Sequence, residues 1–195
     1  MRVSIHQPEH FPYMGFFQKM QACDLFIILD DVKYKKNNFQ NRNKFLNSSG
    51  DDEWFTVPVE KKATSKLIKD VVVSSDSSWK RKLLTKINQN MRIDVSEIYD
   101  SSRLIDINMK SICWSMNRLK INTPFIFSSN LFVDGSKSEL LANMVRAVGG
   151  TTYISGSGGR DYLKMEYFDG IDVEFFDPDV PNYYSVLYNI SVGDF

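Results

Sequence analysis

Asp24-Leu25-Phe26-Ile27-Ile28-Leu29-Asp30-Asp31 is the stretch that decides the fold class. Its apolar run is too short for an ordinary helix, shows no alternation, and is closed by carboxylates at both ends. A strand buried on both faces has this composition, and such strands lie inside parallel sheets. Upstream, Arg2-Val3-Ser4-Ile5-His6 reads as a first short strand. Residues 12–22 read as a helix, with Phe16, Phe17 and Met20 apolar between Gln18, Lys19 and Gln21. The chain therefore opens as strand, loop, helix, strand, a crossover expected to be right-handed.

Working outward, residues 32–53 are polar and irregular, with a turn signal at Ser48-Ser49-Gly50-Asp51. Residues 54–59 and 68–73 are expected as strands. Helices are expected over 78–91, with Leu83, Leu84 and Ile87 as a core stripe, and over 104–119, with Ile105, Met109, Ile112 and Met116. A strand at 124–127 precedes Ser136-Lys137-Ser138-Glu139, which fits a capping box; Gly149-Gly150 ends the helix that it opens. Then come a strand at 151–155, a glycine loop into a short helix at 161–165, and a half-exposed strand at 171–176. The alternation specifies an α/β sandwich with a largely parallel sheet flanked by helices. At 195 residues a single domain over 1–195 is the expectation.

Acidic and basic residues balance at 24 each, so no overall field draws the chain to nucleic acid or an anionic membrane. No apolar run approaches the roughly 20 residues needed to cross a bilayer. The start, Met1-Arg2-Val3-Ser4-Ile5-His6, has no apolar leader. Cys23 and Cys113 have no partner at metal or redox spacing and read as small buried hydrophobes, which points to a reducing, cytoplasmic setting. Trp54, Trp79 and Trp114 read as core rather than as sugar platforms.

Parallel sheets bind ligands outside the carboxyl ends of their strands. Three polar loops meet that condition. The first holds both histidines, His6 and His10, around Gln7 and Pro8. An imidazole at a strand end can exchange a proton near neutral pH, which makes His6 the candidate base; a turn histidine bonded to backbone is the plainer reading. His10 reads equally as a ligand or as an exposed helix-entry residue. As metal spacing the pair is weak, because Pro8 breaks the continuous helix that it needs. The second loop starts at Asp30 and Asp31, a carboxylate pair for ribose, amine or Mg²⁺, or else a solvated turn. It ends in Phe39-Gln40-Asn41-Arg42-Asn43, dense in planar hydrogen-bonding groups, where Arg42 can clamp a phosphate or carboxylate. The third, Ser155-Gly156-Ser157-Gly158-Gly159-Arg160, offers backbone amides and a guanidinium at a helix start, an anion cradle without a known phosphate fingerprint. Arg42 and Arg160 are expected to meet one anionic ligand.

Several blocks in order resemble the WbqC-like family: Ile5-His6-Gln7-Pro8, then Pro12-Tyr13-Met14-Gly15-Phe16-Phe17-Gln18-Lys19, Leu29-Asp30-Asp31-Val32, Phe39-Gln40-Asn41-Arg42-Asn43, Trp54 with Thr56-Val57-Pro58-Val59, Tyr153-Ile154-Ser155-Gly156 and Tyr162-Leu163. The chain departs from that pattern at Leu83, where a histidine is expected, over 91–98, and in its short end at 184–195. The resemblance implies a bacterial role in O-antigen and related surface-glycan (lipopolysaccharide) biosynthesis. The reaction it implies is transfer of an aminoacyl group, glycyl being the suggestion, to the amine of a nucleotide-linked amino sugar. Carried over by motif, the family's polar positions fall on His6, Gln7, Asp30, Asp31, Gln40, Asn41, Arg42 and Asn43. The arrangement is also similar to the nucleotidylyltransferase, Rossmann-like type of sandwich, without the second histidine of that type's signature.

Three readings follow. A transferase would use His6 and Gln7, with Asp30 and Asp31, at the reacting atoms. His10, Lys19, Gln40, Asn41, Arg42, Asn43, Ser155, Gly156 and Arg160 would hold substrate. No Ser or Cys nucleophile accompanies a histidine, which favours direct transfer. No cofactor is required, and Mg²⁺ enters only under the second reading, a nucleotidyl or phosphoryl transferase using Asp30 and Asp31. The third is a non-catalytic protein that binds sugar nucleotide or a partner enzyme. The sequence leaves acyl donor, sugar and oligomeric state open.

Overall fold

The computed structural model describes residues 1–194. In chain order its strands and α-helices are β1 (Arg2–His6), α1 (Met14–Gln21), β2 (Leu25–Ile28), β3 (Arg42–Leu46), β4 (Asp52–Thr56), α2 (Ser78–Met91), α3 (Leu104–Arg118), β5 (Phe125–Phe127), α4 (Lys137–Ala147), β6 (Thr152–Gly156), β7 (Asp172–Phe176) and α5 (Val186–Val192). The chain groups into two compact units, each assembled from separated stretches. The first takes Met1–Gln7, Gly15–Leu29 and Asn122–Asp179; the second takes Pro8–Met14, Asp30–Ile121 and the chain from Val180 on. No helix of the described residues is long and apolar enough to cross a membrane.

The first unit is an α/β layer structure on a five-stranded sheet in the order β5-β2-β1-β6-β7, with every neighbouring pair parallel. As the apolar run requires, β2 is an inner strand, and Phe26, Ile27 and Ile28 have no exposed surface. Val3, Ile5, Ile27 and Tyr153 of the sheet share a core with Ala142, Met144 and Val145 of α4. Tyr153 stacks on Phe168, with ring centroids 5.4 Å apart and planes within 9°. β7 is an edge strand with both charged residues, Asp172 and Glu174, turned to solvent.

Chain direction then picks out one place on this sheet. From β1 the chain continues to β2 on one side, whereas from β6 it continues to β7 on the other. Adjacent strands whose continuations diverge leave a crevice over their carboxyl ends. The pairing shows the opening. β1 and β6 pair only over Arg2↔Thr152, Val3↔Tyr153 and Ser4↔Ile154. β1 meanwhile stays with β2 as far as His6↔Ile28, and β6 with β7 as far as Gly156↔Phe176.

The second unit combines α2, α3 and α5 with a hairpin of β3 and β4, paired antiparallel from Arg42↔Thr56 to Leu46↔Asp52. Three expectations are corrected. The polar stretch 32–53 contains β3, whose burial alternates with half-buried polar side chains; its Asn and Lys content hides the period. Residues 68–73 form a 3-10 turn (Ile68–Asp70) and isolated bridges, because Ile68 and Val71 are buried three apart, a turn spacing. The helix expected at 161–165 is replaced by 3-10 turns at Ser157–Asp161 and Met165–Phe168. α4 starts where the capping box places it, but Ser136 makes no capping bond; Ser138 instead accepts from Lys164 N at 3.1 Å.

Candidate functional site

The crevice edge of the first unit carries His6, Gln7, Ser155 and Gly156, with Lys19 contributed by α1. His6 is half-buried, its ring edge-on to Phe16 with centroids 5.0 Å apart. Its Nδ1 lies 3.1 Å from the Gln7 carbonyl oxygen. A carbonyl only accepts, so that bond puts the proton on Nδ1 and leaves the Nε2 lone pair as the basic site. Burial, then the Lys19 charge, lowers the His6 pKa to about 3, with the Gln7 bond opposing. The imidazole is therefore neutral at pH 7. Lys19 is itself only 5% exposed; its Nζ lies 3.4 Å from the Ile5 carbonyl and 5.9 Å from the centre of the Phe26 ring.

The glycine loop differs from an anion cradle. Ser157–Asp161 is itself a single 3-10 turn, so no helix N-terminus follows the glycines. Gly159 is needed for close packing, since a Cβ there would stand 2.1 Å from Ser155 Oγ. Ser155 is buried and bonds within the loop, at 3.1 Å from Gly156 O. Arg160 forks onto Asp177 at 3.1 and 2.8 Å, so its charge already has a carboxylate partner.

In the second unit the amide-rich cluster divides. Gln40 has no exposed surface; its side chain accepts from Lys35 N at 2.9 Å. Asn43 is 1% exposed and donates to Phe11 O at 2.8 Å while accepting from Lys44 N. Both side chains bond backbone groups. His10 is enclosed as well. It is wholly buried among Phe11, Phe55 and Tyr99, with Nε2 3.1 Å from the Tyr99 hydroxyl, and burial lowers its pKa to about 3. Asp30 is buried and its carbonyl accepts from Lys69 N; Asp31 is half-buried. Among the described residues no three His, Cys, Asp or Glu side chains gather as a metal site.

Asn41 and Arg42 remain, and they line a cavity of about 270 Å³ with Tyr34, Lys36, Thr56 and Lys61. Arg42 lies over the Trp54 ring at 4.2 Å and donates to Asn37 O at 2.9 Å. The sequence reading missed Lys36 and Lys61, although the basic runs Lys35-Lys36 and Lys61-Lys62 were a visible signal. Trp54, expected in the core, is 38% exposed. Cys23 is buried, which pushes its thiol up to about 11, while Cys113 is exposed, contrary to expectation.

Comparison with known proteins adds the following. The profile of the WbqC-like protein family matches residues 7–189. Over 192 residues the chain is 29% identical to the uncharacterized protein Rv1507c of Mycobacterium tuberculosis (strain ATCC 25618 / H37Rv), covering 91% of this chain and 83% of that one. No solved structure matches. With nearly the whole chain matched, from Gln7 beside the crevice to Asn189 in α5, this protein belongs to the WbqC-like protein family.

Proposed function

We propose that this chain is a cytoplasmic transferase of surface-glycan biosynthesis. It passes an aminoacyl group, glycyl in the first instance, to the amine of a nucleotide-linked amino sugar. The observation that carries this reading is the parting of β1 and β6 above a neutral His6 whose Nε2 is the basic nitrogen. With its pKa lowered by burial and the Lys19 charge, His6 is a weak base. It is too weak a base to strip an ammonium, so the amine must arrive uncharged. Once the amine nitrogen bonds the acyl carbon its proton becomes acidic, and His6 then takes it at Nε2. The low pKa returns that proton promptly to the departing group as its bond to the acyl carbon breaks. The buried Lys19 cation, whose charge already acts on His6, would favour a developing oxyanion near that ring.

The test is the surface glycan of a strain lacking the gene, measured by mass spectrometry. An amino sugar without its acyl substituent supports the reading; an unchanged glycan overturns it. Re-expressed His6→Gln should accumulate as folded protein, by circular dichroism, and fail to restore the substituent.

A further inference from the structure

We infer that the cavity of the second unit is a binding site for a phosphoryl group, and this stands whether or not the acyl transfer does. Its walls are the 34–37 segment, Asn41 and Arg42 at the start of the hairpin, Thr56 at its end, and the 59–64 segment. Three cations line it: Lys36, Arg42 and Lys61. The one carboxylate, Glu60, is already held by Lys66 at 2.7 Å and by Val72 N at 3.1 Å. Among the described residues neither Lys36 nor Lys61 has an ion-pair partner. Three cations around one cavity favour an anion there, and a group carrying two negative charges balances them better than a single carboxylate does.

The donors are also of the right kind. Arg42 is held in place by the Trp54 ring and the Asn37 carbonyl, so little side-chain freedom is lost when it meets a ligand. The Thr56 and Thr64 side chains line the same space and bring hydroxyl donors. Asn41 Oδ1 and Arg42 Nε are buried without a hydrogen-bond partner among the described residues, a condition that calls for a water or ion nearby. The size is compatible with that occupant. A volume of about 270 Å³ matches roughly nine waters at ~30 Å³ each. That is ample for a phosphoryl or diphosphoryl group.

The experiment is calorimetric titration of the intact protein with inorganic phosphate, pyrophosphate, UDP and glycine. Wild type should bind the phosphorylated probes saturably and glycine not at all. Lys36→Gln and Lys61→Gln, surface changes that leave the fold intact, should each weaken binding about tenfold, as loss of one charge-assisted hydrogen bond does. UDP binding like pyrophosphate identifies the phosphoryl groups as the whole recognised element. Tighter UDP binding adds nucleoside contacts outside the cavity; both results support the site. No saturable binding of any phosphorylated probe, an unchanged affinity in the double variant, or displacement of phosphate by glycine overturns it. None of these outcomes alters the glycan measurement on which the transferase reading depends.

Discussion

His6 and His10 are the only histidines and stand four positions apart, yet their surroundings assign them different work. His10 is wholly enclosed and bonded to Tyr99, so His10→Ala removes both packing and a buried hydrogen bond. Deleting a large buried side chain costs about 2–5 kcal/mol, and the urea midpoint should fall accordingly. A variant within experimental error of wild type would contradict the burial. His6 is half-buried and loses mainly its edge contact with Phe16 and the bond to Gln7. His6→Gln keeps a polar group at the strand end, and its midpoint should fall by less, by about 1 kcal/mol. A loss as large as that of His10→Ala would mark His6 as structural.

Among the elements, the turn after β6 depends on one atom pair. Gly159 approaches Ser155 so closely that Gly159→Ala forces Cβ against Oγ at 2.1 Å. Overpacking of this kind costs about 1–3 kcal/mol. Gly158 has open space where its Cβ would point, so Gly158→Ala should change stability by less than about 0.5 kcal/mol. In a double-mutant cycle, adding Ser155→Ala to Gly159→Ala should recover part of the loss, because Oγ goes while Ser155 Cβ stays 3.1 Å away. Strict additivity would show that the two side chains do not meet. Because Ser155 is the last residue but one of the strand beside the crevice, the same cycle reports on how firmly that edge is held.

For the molecule as a whole, the two imidazoles set the response to acid. Each has a folded pKa of about 3 against an ordinary 6.5. Above pH 6.5 both folded and unfolded chains are neutral at these rings, and they add no pH dependence. Below it the unfolded chain takes up protons that the folded chain refuses, so stability falls as pH falls towards 3, by up to about 1.4 kcal/mol per pH unit and histidine. The urea midpoint should therefore drop between pH 7 and pH 5, before carboxylates begin to titrate. The pH slope should be about halved in His10→Gln, whatever its midpoint at pH 7. A flat wild-type profile over that window would remove the depressed values.

What the sequence determined alone was the parallel sheet. Residues 25–29 are apolar on both faces, and only an inner strand of a helix-covered sheet buries both, so local composition was enough for β2. The long helices α2 and α3 were legible for the same reason, since their apolar spacing reports one buried face. The family, too, was readable from short ordered blocks. Tertiary structure alone decided which polar residues are available. Gln40, Asn41, Arg42 and Asn43 are consecutive and chemically alike in the sequence. All four bond backbone groups, but only Asn41 and Arg42 also line a cavity. Burial of a polar side chain is set by whether a distant backbone group comes within hydrogen-bonding reach, such as Phe11 O for Asn43, and no local pattern encodes that distance.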